Sequence, residues 1–210
     1  MLQNIFPETK GATILEVGSG YGHFLTILER YTDFKVTGIE PDQSLAEQLK
    51  TSFPNTRIIN TTVELAMAEL QAQEFDVIAL IASLEHFKNP SFVLEECKRR
   101  LKPGGKIIIR VPFAEGYFNI NRLLKKRIMP FGAPRHLYDF SDKTLGAMLA
   151  ENGFQDIVIE PGARESTEGL IYTIIVNIIK SLCKVLWLIS GKRYISSFTG
   201  SVVAVATKSK

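Results

Sequence analysis

The sequence predicts an α/β protein built on a doubly wound, mostly parallel sheet. Short apolar stretches alternate with helix-like segments along the chain, as a sheet covered by helices on both faces requires. The first apolar stretch runs into a turn with alternating glycines and then into a helix, which is how a ligand-binding βαβ unit begins. The 210 residues, 45% hydrophobic and 22% charged, suit a single domain over residues 1–210 with a substantial core.

The alternation places each element in turn. We expect seven strands, near Ala12–Val17, Lys35–Glu40, Arg57–Ile59, Phe75–Ile81, Lys106–Val111, Phe154–Ile159 and Ser201–Ala206. We expect five helices between them, at Gly22–Tyr31, Gln43–Phe53, Val63–Ala72, Pro90–Leu101 and Ser141–Asn152. Asp42 and Ser141 precede helical patterns as N-caps, and Gly153 follows one as a C-terminal stop.

The glycine turn after the first strand predicts a nucleoside site. Gly18, Gly20 and Gly22 alternate there, so that backbone amides and a helix N-terminus can approach a polar ligand. Glu40 ends the second strand, twenty residues beyond Gly20. An acid at this spacing can accept hydrogen bonds from a ribose diol.

The spacing of the glycines indicates which nucleoside. A dinucleotide fingerprint reads G-x-G-x-x-G and would place its third glycine at the position that His23 occupies, so a nicotinamide oxidoreductase is disfavoured. The pattern E-x-G-x-G-x-G, from Glu16 to Gly22, resembles motif I of the class I S-adenosylmethionine-dependent methyltransferases instead.

The resemblance continues downstream, over Ala12 to about Ile159. Four further stretches are similar to this family in its own order: Phe75–Leu80 with Ser83–Phe87, Leu101–Ile109, Pro134–Leu137 with Phe140 and Ser141, and Glu151–Phe154. The last two of these stretches resemble the small-molecule branch that includes ubiquinone-type and sugar-modifying enzymes. The resemblance implies a Rossmann-like, seven-stranded, mostly parallel sheet whose last strand is antiparallel.

The same resemblance implies S-adenosylmethionine as cofactor and a set of residues that bind it. Gly18, Gly20 and Gly22 would form the turn beside its methionine part, which Glu16 would orient. Glu40 would take the ribose hydroxyls. Asp42 would border the adenine, and Val63, in the stretch Thr61–Glu64, would lie near the adenine too.

Two histidines are candidate catalytic bases. His86 follows the fourth strand, where open α/β sheets place ligands, and His136 lies in the loop that lines the substrate entrance in the family. The alternative is that each histidine only orients a neighbour. Glu85 and His86 resemble the Glu-His pair of ubiquinone-type O-methyltransferases, where further acids bind a divalent ion. Because Ala82 stands three residues before Glu85, we expect no metal here.

An apolar insertion, at about 162–198, separates the sixth and seventh strands, which a short hairpin usually joins in the family. Its core, Leu170–Ile189, carries one narrow polar stripe at helical spacing: Thr173, Asn177, Lys180, Ser181 and Lys184. Two lysines disfavour a transmembrane span. An interfacial membrane helix and a helix packed on the domain or in a homodimer stay open. The basic group Arg122, Lys125, Lys126 and Arg127 is compatible with an ordinary solvated face, with a membrane surface and with an acidic or phosphate-bearing substrate, and all three stay open.

Composition narrows the function further. The two cysteines have no metal-ligand spacing and predict inert thiols in a reducing compartment. The first ten residues lack a secretion signal, so we expect a cytoplasmic protein, or one at the inner face of the membrane. A net charge of +3 does not indicate a nucleic-acid partner. We therefore expect methyl transfer to a small acceptor, and to oxygen rather than to nitrogen. The acceptor hydroxyl would belong to a lipid-linked sugar or a quinone-like precursor. The alternative is a non-catalytic module that binds the same cofactor.

Overall fold

The fold is known from a computed structural model, which describes residues 11–31, 33–113, 136–162, 181–191 and 200–209. Its strands are β1 (Thr13–Val17), β2 (Lys35–Ile39), β3 (Arg57–Ile59), β4 (Phe75–Ile81), β5 (Leu101–Pro112), β6 (Phe154–Pro161) and β7 (Ser201–Lys208). Its helices are α1 (His23–Tyr31), α2 (Gln43–Ser52), α3 (Val63–Glu69), α4 (Pro90–Arg100), α5 (Asp142–Glu151) and α6 (181–189), with a short 3₁₀ helix at Leu84–His86.

The seven strands form one sheet in the order β3-β2-β1-β4-β5-β7-β6. β1 pairs in parallel with β2 on one side and with β4 on the other, and β2 pairs in parallel with β3. The strand order therefore reverses at β1 and β4, which is where doubly wound sheets bind ligands. The pairs β5–β7 and β7–β6 are antiparallel. The predicted fold class, with its antiparallel last strand, is confirmed.

The chain divides into two compact units. The first holds residues 1–81, 92–108 and 207–210, and the second holds residues 82–91 and 109–206. The candidate cofactor residues all belong to the first unit, whereas His86 and His136 belong to the second.

The core of the first unit lies around the central strands. Ile14, Leu15, Ile78 and Leu80 are fully buried, and the pairing of Leu15 with Ile78 brings two such residues side by side. Parallel strands covered on both faces carry nearly continuous apolar runs, and β4 has this pattern.

Local signals placed the starts of two helices correctly. Asp42 Oδ1 accepts a hydrogen bond from the Leu45 amide at 2.9 Å, and Ser141 Oγ accepts one from the Thr144 amide at 3.1 Å, so both predicted N-caps are confirmed. Cys97 and Cys183 are free and buried. Burial raises the pKa of the Cys97 thiol far above its usual value, which keeps that thiol unreactive.

Two elements differ in length from the sequence-based expectation by three residues or more. β5 begins at Leu101, five residues before the predicted start, and it includes Gly104, whose φ is 74°. A Cβ at Gly105 would lie 2.9 Å from the Lys102 carbonyl oxygen, so glycine is required for close packing there. α3 stops at Glu69 instead of Ala72, since Leu70 adopts an extended conformation.

The apolar insertion is described only in part. Its residues 181–189 are helical, as predicted, and form α6, whereas the residues from Leu170 to Lys180 lie outside the described part of the chain. The basic group Arg122, Lys125, Lys126 and Arg127 lies outside it as well. Among the described residues, no helix combines the length and the hydropathy that crossing a membrane requires.

Candidate active site

The glycine turn between β1 and α1 is held against the end of β2. The amides of Gly18 and Ser19 both donate to the Ile39 carbonyl oxygen at 3.0 Å, and the Gly22 amide donates to the Ser19 carbonyl oxygen at 2.8 Å. Gly18, Gly20 and Gly22 all have positive φ angles, of 80°, 51° and 75°, which side chains disfavour. The turn therefore depends on the alternating glycines for its path.

Gly22 has a packing role that its motif position did not reveal. A Cβ added there would lie 2.6 Å from Leu49 Cδ2 and 2.6 Å from Phe53 Cε2, which are atoms of α2 and its C-cap. A Cβ added at Gly20 would meet no atom within 4 Å. Gly22 thus lets α1 begin close to α2, whereas the α-carbon of Gly20 borders open space.

Glu40 is a buried acid whose carboxylate is fixed by backbone amides. Its Oε2 accepts from the Gly20 amide at 2.7 Å, and its Oε1 accepts from the Asp42 amide at 2.9 Å. Asn60 Nδ2 donates to the Glu40 carbonyl oxygen at 2.9 Å and so holds the backbone at this corner. Each carboxylate oxygen keeps acceptor capacity, so the group fits a ribose diol.

Glu16 lies in the middle of the sheet with small neighbours on either side. Its register partners are Gly38 on β2 and Ala79 on β4. A Cβ at Gly38 would lie 2.6 Å from Ser19 Oγ, so the absence of a side chain there leaves room for the serine. Glu16 is only 2% exposed.

The carboxyl of Glu16 lacks a complete set of partners. Within the described part of the chain, neither Glu16 Oε2 nor Ser19 Oγ has a hydrogen-bond partner. Burial raises the pKa of Glu16 to about 8; the nearby Ser19 hydroxyl opposes the rise and the charge of Glu40 adds to it. A buried, unpartnered acid is satisfied by a cationic donor, and the ammonium group of S-adenosylmethionine is one. These residues therefore fit the predicted cofactor.

Asp42 and Val63 begin the helices that follow β2 and β3. Asp42 is exposed, and its carboxylate caps α2. Val63 is buried as the first residue of α3. Their roles beside the adenine stay predictions.

The second unit brings the two candidate histidines together, although fifty positions separate them in sequence. The ring centroids of His86 and His136 lie 5.0 Å apart in an edge-to-face arrangement. The amides of Leu137 and Tyr138 donate to the Glu85 carbonyl oxygen at 2.9 and 3.3 Å. These bonds attach the segment that carries His136 to the 3₁₀ helix that carries His86.

Glu85, the acid of the Glu-His pair, is the residue of this cluster whose burial the sequence did not predict. It is 1% exposed, and neither carboxylate oxygen has a hydrogen-bond partner among the described residues. Burial raises the pKa of Glu85, against the opposing charges of His86 and Arg110. Burial lowers the pKa of His136; the charge of His86 lowers it further and Asp139 opposes the change. This shift favours the neutral imidazole of His136, which is the form that can accept a proton.

The same three side chains offer a donor set for a divalent ion. Glu85, His86 and His136 each present one ligand atom, and these atoms lie within 4.8 Å of one another. Imidazole and carboxylate ligands suit zinc and similar metals. The expectation of a site that works without metal stays a prediction, and a metal titration would test it.

Sequence reasoning missed Ser19 and Asn60 as parts of these sites, and it did not predict the burial of Glu85. Ser19 stands inside the glycine motif and Glu85 inside the Glu-His pair. The sequence therefore indicated where both residues lie, but not that both are buried. Asn60, next to the end of β3, had no signal of its own. A sheet whose strand order reverses beside a glycine turn and two buried acids defines a nucleoside-binding protein of the doubly wound class.

Comparison with known proteins places the chain within that class. The profile of a family described as a methyltransferase domain matches residues 2–159. A ubiquinone biosynthesis O-methyltransferase of Coxiella burnetii is 26% identical over 137 residues, 64% of this chain and 54% of that protein. Its counterpart in Xanthomonas axonopodis is 29% identical over 175 residues, 79% of this chain and 68% of that protein. The chain thus spans about half the length of the first of these relatives.

The fold has solved counterparts. A SAM-dependent methyltransferase structure from Archaeoglobus fulgidus aligns with a TM-score of 0.66 at 16% identity, over 99% of this chain and 90% of that one. The chain belongs to the methyltransferase domain family, in its class I, S-adenosylmethionine-dependent form.

Proposed function

We propose that the protein transfers a methyl group from S-adenosylmethionine to a hydroxyl of a small molecule. The observation that carries this proposal is the pairing of His86 with His136, because a hydroxyl acceptor must lose a proton as the new bond forms. The lowered pKa of His136 favours a neutral imidazole, which can accept that proton. The two similar proteins described above are named as O-methyltransferases, which supports oxygen over nitrogen or carbon.

Each residue of the candidate site would have a distinct role in this reaction. S-adenosylmethionine, when bound, supplies an electrophilic methyl group on a sulfonium centre. Glu16 would hold the cationic end of that cofactor, and Glu40 would accept hydrogen bonds from its ribose. A neutral imidazole of the histidine pair would take the acceptor's proton on a ring nitrogen. The buried Glu85 carboxyl beside the pair would stabilise the imidazolium that results.

The acceptor class is part of the same proposal. A quinone-like precursor with a phenolic hydroxyl, or a lipid-linked sugar, matches the branch that the sequence resembles. Phenols lose their proton more readily than alcohols, since a tyrosine-like hydroxyl has a pKa near 10. A histidine base therefore suits a phenolic acceptor best.

A turnover assay with paired variants tests this proposal. Purified protein is incubated with S-adenosylmethionine and a panel of catechols, sugars and amines, and mass spectrometry follows S-adenosylhomocysteine and the methyl ether. Replacing the true base, by His86→Asn or His136→Asn, should lower kcat by about a hundredfold to ten-thousandfold without changing cofactor affinity. His23→Asn is the control for the loss of an imidazole outside the pair; because His23 directly follows the glycine turn, the cofactor affinity of this variant is measured as well.

Three outcomes would contradict the proposal. Methylation of amines but not of hydroxyls would show a different acceptor. Near-normal turnover in both histidine variants would show that neither imidazole takes the proton. Cofactor binding without turnover of any acceptor would favour the non-catalytic module.

A further inference from the structure

Ala82 has a backbone conformation that side chains disfavour. Its φ angle is 54°, in the left-handed region, where alanine carries a free-energy cost that glycine does not. Among the described residues, Gln73 and Asp156 are the other non-glycine residues with a positive φ. Residues that the surrounding structure holds in this way cluster at functional sites. Ala82 stands at such a place, because it follows β4 directly and precedes the 3₁₀ helix that carries His86.

Backbone and burial hold Ala82 in this conformation. Its amide donates to the carbonyl oxygen of Arg110 on β5 at 2.8 Å, so the chain stays attached to that strand beyond the end of β4. The next three residues, Ser83, Leu84 and Glu85, are all buried. The side chain of Ala82 is itself exposed, and the packing of its methyl group therefore does not set the angle. The hydrogen bond to β5 and the burial of the following residues offset the cost at Ala82.

The backbone angles of Ala82 set the direction of the 3₁₀ helix and so the place of His86. The helix begins two residues after Ala82, and the His86 amide donates to the Ser83 carbonyl oxygen at 3.0 Å. A rotation about a backbone bond moves every residue that follows it, so a changed φ at Ala82 would swing this short helix as a body. The segment that carries His136 is bonded to the Glu85 carbonyl oxygen through two amides. A swing of the helix would therefore strain those bonds and separate the two imidazole rings.

We propose that Ala82 is the positioning residue of the histidine pair: its left-handed backbone aims the 3₁₀ helix so that the ring of His86 meets the ring of His136. The ring centroids lie 5.0 Å apart, and this contact joins segments that are fifty positions apart in the chain. Ala82, both histidines and Arg110 all belong to the second unit. The use of the pair as a catalytic base rests on the proposed function, whereas the geometry of the pair does not.

Two substitutions of similar size separate the backbone conformation from the side chain. Asparagine adopts the left-handed region far more readily than a β-branched residue such as valine. Because the Ala82 side chain is exposed, neither Ala82→Asn nor Ala82→Val should crowd the core. Gln73→Val is the matched control, since Gln73 is also exposed, has a φ of 56° and lies in the first unit, before β4. The two valine variants therefore carry the same backbone penalty at different places.

NMR of the full-length, cofactor-free protein measures the histidine pair directly. The ring protons of His86 and His136 should give a nuclear Overhauser cross-peak, which is assigned by its loss in His136→Asn. The cross-peak should persist in Ala82→Asn and Gln73→Val and disappear in Ala82→Val. Urea unfolding should show a similar loss of stability in both valine variants, so a general loss of stability would not explain the difference.

Two further measurements complete the test. If Ala82→Val does not fold, Ala82→Leu takes its place, because leucine lacks the β-branch; its cross-peak should be weaker than that of Ala82→Asn. With an acceptor that the wild type methylates, Ala82→Val should lower kcat by about a hundredfold without changing the affinity for S-adenosylmethionine, since a displaced base no longer reaches the acceptor hydroxyl. Ala82→Asn should restore most of that loss, and Gln73→Val should keep the turnover of the wild type.

Three results would overturn this role of Ala82. The first is a cross-peak of wild-type intensity in folded Ala82→Val. The second is an equal loss of the cross-peak in Gln73→Val, which would make the effect a general one. The third is its loss in Ala82→Asn, which would assign the effect to the side chain. The cross-peak needs no turnover, so these results leave the proposed methyl transfer standing. A protein that shows the expected cross-peaks but methylates no hydroxyl would instead refute the proposed function alone.

Discussion

The raised pKa of Glu16 makes a quantitative prediction about stability. This carboxyl is buried in the middle of the sheet, and burial raises its pKa from 4.5 to about 8. Between these two pH values the folded chain holds a proton that the unfolded chain has released. The folded state then binds more protons, so the free energy of unfolding must fall as the pH rises.

The size of this fall follows from the same two values. A pKa rise from 4.5 to about 8 corresponds to roughly 5 kcal/mol, or about 1.4 kcal/mol for each pH unit in the window. Glu16→Gln keeps the shape of the side chain and removes its titration. Relative to the wild type, the variant should therefore gain stability steadily from pH 5 to pH 8, by several kcal/mol in total.

The assay is urea unfolding of the cofactor-free protein, followed by circular dichroism at four pH values from about 5 to about 8. Glu29→Gln, an exposed acid on α1, is the control and should track the wild type. A saturating concentration of S-adenosylmethionine should stabilise the wild type more than Glu16→Gln at pH 8, because only the carboxylate pairs with an ammonium group.

Parallel pH profiles of the wild type and Glu16→Gln, within about 0.5 kcal/mol, would refute this reasoning. Such a result would mean that the Glu16 carboxyl ionises normally in the folded protein. An equal effect of the cofactor on both proteins would separately remove Glu16 from the cofactor site.

Two further predictions concern the first unit. Glu40→Ala should weaken S-adenosylmethionine binding by roughly 1.5–3 kcal/mol for each hydrogen bond to the charged group that is lost, as calorimetry would measure. Glu47→Ala, which changes an exposed acid, is the control. Unchanged affinity in a folded Glu40→Ala variant would exclude Glu40 from the site. Asp76→Asn should destabilise the fold by only about 1 kcal/mol at pH 7, because the ion pair with Lys102 at 2.8 Å is partly exposed. Burial of Asp76 favours a higher pKa, but the hydrogen bonds from Lys102 and Thr13 outweigh it and lower the pKa of this carboxyl. The contribution of the Asp76 carboxylate to stability is therefore present above pH 3.8 and should disappear as the pH falls further. A stability difference that stays constant down to pH 2 would contradict this account.

Several features of the fold can be predicted from the sequence because their causes are local. A cap needs only a short polar side chain before a helix, and Asp42 and Ser141 could be identified from their neighbours alone. The alternation of apolar runs gave the strands to within a few residues, since parallel strands bury both faces. The glycine turn was recognisable because positive φ angles restrict the residue types that can form it.

Other features depend on distant parts of the chain. The early start of β5 was not predicted, and a Cβ at Gly105 in this part of the strand would lie 3.1 Å from the carbonyl oxygen of Asp76, a residue far away in the sequence. Helical spacing predicted the polar stripe of α6, but only the packing of the folded chain shows that Trp187 is buried and Ile189 is exposed.

In the candidate site, too, some features could be predicted from the sequence and others depend on the folded structure. The residue types and spacing of Gly18, Gly20 and Glu40 were sufficient to predict a nucleoside site, because backbone approach and ribose recognition need those types in that order. The burial that raises the pKa of Glu16 and the contact between His86 and His136 were not readable from the sequence. Burial and contact are set by segments far apart in the chain, and only the folded structure brings those segments together.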